Sequence, residues 1–88
     1  MQEQFGIGAF RSRQQVMRFD SALRRAGVAT QVISTPHEVS VGCGLSVQFD
    51  LSDTQTVLET YRRARPGNLI GFYRVTPVPG GRPTIARL

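Results

Sequence analysis

Lysine is absent from this chain of 88 residues: all eleven basic residues are arginine, against six acidic ones, for a formal net charge of +5. There is a single cysteine, which excludes an internal disulfide and with it the class of small stapled scaffolds. There is also a single histidine, so the four ligands of a structural zinc site cannot be assembled, and no metal is expected. No apolar run approaches the ~20 residues needed to cross a bilayer, and Met1-Gln2-Glu3-Gln4 lacks the basic-then-apolar layout of a secretion signal. The expectation is a cytoplasmic protein without a membrane partner. A chain this short buries only roughly 60 to 65% of its unfolded surface and cannot support two cores.

The excess of arginine has two readings. Its planar fork suits phosphate and carboxylate, so nucleic acid or another anion is one class of partner. The base composition of the coding DNA produces the same skew without any selection for binding, and this blander reading is preferred.

Local patterns give six elements. Phe5 to Phe10 is short and apolar, with Phe5, Ile7 and Ala9 on one parity, and reads as a strand. Ser12 with Gln15 matches the capping box, and Val16, Phe19, Leu23 and Ala26 follow at helical spacing to a stop at Gly27. Residues 28–34 are rich in β-branched types and lead into Thr35-Pro36, where proline interrupts ladder bonding. Leu45, Val47 and Phe49 alternate with Ser46 and Gln48, the period-two signature of a half-buried strand. Ser52 with Gln55 repeats the capping box, and Val57, Leu58, Tyr61 and Ala64 form a stripe ending at Arg65-Pro66-Gly67. Residues 69–75 make a fourth strand. The tail, 76–88, is expected to lack regular structure because of Pro77, Pro79, Gly80, Gly81 and Pro83.

The order βαββαβ predicts an α+β fold: a ferredoxin-like two-layer sandwich of residues 1–75, with a four-stranded sheet and both helices on one face. Right-handed crossovers give the strand order 4-1-3-2. One edge of that sandwich then gathers Arg11 and Arg13, the loop 35–44, and Arg62, Arg63 and Arg65.

Within the loop, Gly42 and Gly44 flank Cys43. Glycine on both sides removes side-chain cover and allows neighbouring N–H groups to turn toward the sulfur. Thiolate is the reactive form, and a helix N-terminus or nearby cations lower a thiol pKa from ~8.5. The predicted topology supplies both, with Arg11 and Arg13 beside the first helix, and with Ser40 and His37 in the same loop. Against this, free cysteine is among the most buried residue types. Counting back in twos from Phe49 also puts Cys43 in phase with the core, unless the two glycines end the strand first.

The segment Val32-Ile33-Ser34-Thr35-Pro36-His37-Glu38-Val39-Ser40-Val41-Gly42-Cys43-Gly44-Leu45-Ser46-Val47 closely resembles the core motif of a family of small domains described as selenium/sulfur carrier protein-like. Phe10-Arg11-Ser12 before the first helix resembles it too, and the likeness spans roughly residues 5–75. The resemblance implies that Cys43 carries sulfur or selenium as a persulfide or selenosulfide, taken from a donor protein and passed to an acceptor, with no other cofactor. His37 departs from the family's usual arginine after the proline, which removes a permanent positive charge there.

The leading expectation is therefore a carrier or accessory domain rather than a turnover catalyst. Cys43 is its reactive residue, and Gly42, Gly44, Arg11, Arg13, His37 and Ser40 stabilise the anion. The rival is an arginine-rich nucleic-acid-binding or regulatory module whose cysteine is structural. A Cys-His pairing of Cys43 with His37 and Glu38 is a weaker reading. Base stacking on Tyr61, Phe72 and Tyr73 is not preferred either, since no RNP-type signature is present, and core or sheet-face positions are expected for them.

Overall fold

The computed structural model describes residues 3–40 and 44–88. Its elements are β1 (Phe5–Phe10), α1 (Arg13–Arg25), β2 (Thr30–Ser34), β3 (Leu45–Phe49), a 3-10 turn (Leu51–Asp53), α2 (Thr54–Ala64), β4 (Leu69–Thr76) and β5 (Thr84–Arg87). The strands form one five-stranded sheet in the order β2-β3-β1-β4-β5, and its paired neighbours are all antiparallel.

The expected four-stranded, ferredoxin-like sheet is corrected here. The expected four strands lie side by side as β2-β3-β1-β4, but β5 extends the sheet beyond β4, through pairs from Tyr73↔Arg87 to Thr76↔Thr84. The tail therefore is not devoid of regular structure. Its prolines and glycines fall in the connection, and Thr84–Arg87 beyond them can bond the open edge of β4.

The first helix is capped by Ser12, whose hydroxyl accepts from the Gln15 N–H at 3.3 Å. Only half of the capping box forms. The Gln15 side chain instead accepts from the Gly67 N–H at 3.0 Å, tying α1 to the end of α2. At the other end Gly27 takes φ +87, a left-handed angle that suits glycine. The second capping box does not form as expected. Asp50 accepts from both the N–H and the hydroxyl of Ser52, at 2.9 and 2.8 Å, so a 3-10 turn intervenes and α2 starts at Thr54. An aspartate two residues upstream is the better acceptor, and it turns Ser52 from a cap into a donor.

The sheet separates two apolar layers. Toward the helices, Phe10, Val47, Phe49 and Phe72 pack against Val16, Phe19, Leu23 and Val57. Phe19, Tyr61 and Phe72 meet edge to face, with centroids 5.4–6.1 Å apart. Such pairs add to area burial. Tyr61 and Phe72 are thus core residues rather than stacking platforms. On the outer face lie Ile7, Ala9, Tyr73 and Val75, with Ile33, Val39, Ile70 and Ile85 packed against them. Tyr73 is covered by Arg87, whose guanidinium carbon is 5.4 Å from the ring centroid. The glycines of β1 belong to the helix side: a Cβ on Gly6 would come within 2.4 Å of the Phe49 ring, and one on Gly8 within 2.8 Å of Phe72.

Buried Asp20 joins α1 to the sheet. It accepts from Thr30 on β2 at 2.5 Å and from Arg24 at 3.0 Å. No helix among the described residues is long and apolar enough to cross a membrane.

Candidate functional site

The loop that carries the Gly-Cys-Gly motif begins where β2 ends and closes where β3 begins. Backbone pairing continues one step past Ser34↔Leu45, since the Thr35 N–H donates to the Gly44 carbonyl at 3.0 Å. The side chains at this base are also locked. The Thr35 and Ser46 hydroxyls, both buried, share a hydrogen bond of 2.8 Å. Gly44 sits close beneath: a Cβ there would lie 3.1 Å from the Thr35 hydroxyl oxygen and 3.5 Å from the Phe10 carbonyl. Close packing at the adjoining ends of β1, β2 and β3 therefore anchors both ends of the loop.

Beyond Thr35 the chain folds into a turn. The N–H groups of Val39 and Ser40 both donate to the Pro36 carbonyl, at 2.9 and 3.1 Å. Val39 points inward to the outer-face cluster, whereas His37 and Glu38 are exposed and Ser40 is half-buried. Glu38 is ion-paired with Arg82 from the β4–β5 connection. That hydrogen bond, with help from the local backbone, holds the Glu38 carboxyl below the usual carboxylate range, and it raises the Arg82 guanidinium in turn.

Beside the loop base lies a cleft of about 470 Å³, lined by Arg11, Arg13, Ser34, Thr35, His37, Gly44 and Leu45. Four residues expected at the site from the sequence, Arg11, Arg13, His37 and Gly44, thus share one surface. Its charged lining is wholly basic. The main chain of Arg11 is fixed at this corner by a bond from its backbone N–H to the Asn68 carbonyl, at 2.9 Å, and Arg13 opens α1, whose first turn has no acidic residue. The N-terminal N–H groups of a helix add partial positive charge to such a corner.

Other expectations resolve differently. Arg63 lines a separate depression with Arg25, between α1 and α2. Arg62 and Arg65 do not line the cleft either. Arg63 is thus turned toward Arg25 at the far end of α1, while the chain just past α2 stays at the edge, where the Gly67 N–H donates to Gln15. Gly42 and Cys43 lie outside the described residues, as does Val41. Sequence reasoning missed Thr35 and Ser46 as the polar anchor of the loop and Arg82 as the partner of Glu38. No local pattern marks either pair, because 11 and 44 residues separate their members. Among the described residues no cluster of three His, Cys, Asp or Glu side chains could hold a metal ion.

Residues 6–68 match the model of a family described as "Putative Se/S carrier protein-like". No curated protein and no solved structure matches the chain.

Proposed function

The chain belongs to the Se/S carrier protein-like family, and from that premise we propose that it carries sulfur or selenium on Cys43. The thiolate of Cys43 attacks the outer sulfur of a donor persulfide. A new S–S bond forms on Cys43, the donor's S–S bond breaks, and the donor cysteine leaves as thiolate. Delivery repeats the exchange, with an acceptor thiolate attacking the sulfur held on Cys43. With selenium as the outer atom, the bound species is a selenosulfide. Donor and acceptor are proteins that dock beside the loop.

The observation that carries this reading is the family match over residues 6–68, a span that includes the Gly42-Cys43-Gly44 motif. The cleft gives it a physical rationale. Gly44, bonded to Cys43 in the chain, lines a surface whose charges are all positive, and bound anionic sulfur needs that compensation. We assign Arg11, Arg13 and the Gly42 and Gly44 amides to stabilise the anion, with His37 and Ser40 beside them.

The test is to expose the protein to a persulfide donor and weigh it intact. One sulfur atom is expected on the parent protein and none on Cys43→Ser; equal loading of both ends the proposal. Arg13→Glu sharpens it, because a glutamate in the first turn favours α1 by roughly 0.3–1 kcal/mol. Weaker retention of sulfur in that variant, at an unchanged melting temperature, therefore reports the lost cation rather than unfolding.

A further inference from the structure

The segment 77–88 lies beyond the residues matched by the family model. It nonetheless meets the 36–40 turn in two ways. The first is ionic: Arg82 pairs with Glu38, across 44 positions of sequence. The second is apolar, because Ile85 of β5 and Val39 of the turn pack against the same outer-face cluster of Ile7, Ala9, Tyr73 and Val75. The segment is itself fastened to the sheet by the β4–β5 ladder and by a bond of 2.9 Å from the Leu88 N–H to the Phe72 carbonyl.

Adjacent residues of the turn are thus held in two ways, Glu38 by Arg82 of the C-terminal segment and Val39 by the outer-face cluster that Ile85 also covers. We propose that the C-terminal segment, outside the span of the family match, is a strap for the 36–40 turn, with Arg82 as its positioning residue, and that through this turn it governs the reactivity of Cys43 a few positions further along the chain. The turn's own bonds alone do not explain this arrangement. They close it on Pro36, whereas Arg82 and the outer-face cluster under Val39 fix it against the sheet. The inference does not depend on what Cys43 carries, since it concerns the placement of the turn and the reactivity of a thiol toward any electrophile.

The experiment is amide hydrogen exchange on the full-length protein, with iodoacetamide alkylation of Cys43 alongside. In Arg82→Glu the Val39 and Ser40 amides should exchange roughly two- to fivefold faster, the range expected for loss of an exposed ion pair. Cys43 alkylation should rise in step, while the amides of β1 stay unchanged. The swapped variant Arg82→Glu/Glu38→Arg should return both readouts toward the parent. Unchanged turn amides, an acceleration shared with β1, an unaltered alkylation rate, or failure of the swap to restore them would each overturn the strap.

Discussion

Glycine at position 6 offers a direct test of how the core is built, because the same substitution should cost stability there and none at a second glycine. A Cβ added to Gly6 would meet three atoms of the Phe49 ring at 2.4, 2.5 and 3.0 Å. That ring is 2% exposed and belongs to the helix-side core, so it cannot swing away without displacing its neighbours. Overpacking of this kind costs about 1–3 kcal/mol, and three contacts this close place Gly6→Ala near the upper end. Removing a strand glycine returns roughly 0.5–1 kcal/mol, leaving a net loss of about 2 kcal/mol. A domain of this size holds only about 4–13 kcal/mol in total. The melting temperature should fall by about 8–16 °C. At Gly67 an added Cβ meets nothing within 4 Å and the backbone angle is not positive. Gly67→Ala should be neutral, or stabilising by up to about 1 kcal/mol through the unfolded chain. Thermal and urea unfolding of the two variants decide the matter. If Gly6→Ala melted with the parent, or if both variants shifted alike, the close packing of Phe49 on β1 would be refuted.

The loop base makes a second prediction: Thr35→Val leaves the buried Ser46 hydroxyl unpaired and should cost about 1–3 kcal/mol. Adding Ser46→Ala should then cost less than the sum of the two single changes, which a double-mutant cycle by urea unfolding measures; strict additivity would show that the hydroxyls do not interact. Acid should weaken the fold. Glu38, bonded to Arg82, and Asp50, bonded to the Ser52 N–H, both hold their protons less readily folded than unfolded. Their contribution is therefore complete above the unfolded values and is lost as pH falls below about 4. Unfolding midpoints compared at pH 6 and pH 3, with Glu38→Gln and Asp50→Asn showing a smaller acid loss, check the sign.

Much of the fold was readable residue by residue. The period-two alternation of Leu45, Val47 and Phe49 and the helical spacing of Val16, Phe19 and Leu23 are consequences of local geometry, and both recur in the structure. The Ser12 cap and the Gly27 stop are equally local. Ser52 misled because a stronger acceptor, Asp50, stood two residues away. The fifth strand was hidden for a different reason. Thr84–Arg87 has no apolar alternation of its own and becomes a strand by bonding an edge that β4 leaves open. Of the proposed site, Arg11, Arg13, His37 and Gly44 were legible because topology alone brings the start of α1 and the β2–β3 loop to one edge.

Thus the chain's own alphabet determined the helices, the first four strands, the absence of an internal disulfide and the family match over residues 6–68. Hydrophobic period, capping and cysteine number act over a few residues and need no tertiary partner. Tertiary structure alone decided that β1 turns its glycines toward the aromatic core, that Gln15 serves Gly67 rather than its own cap, that β5 extends the sheet, and that Arg82 reaches Glu38. These contacts join residues distant in sequence, and their energy exists only once the chain has closed the loops between them.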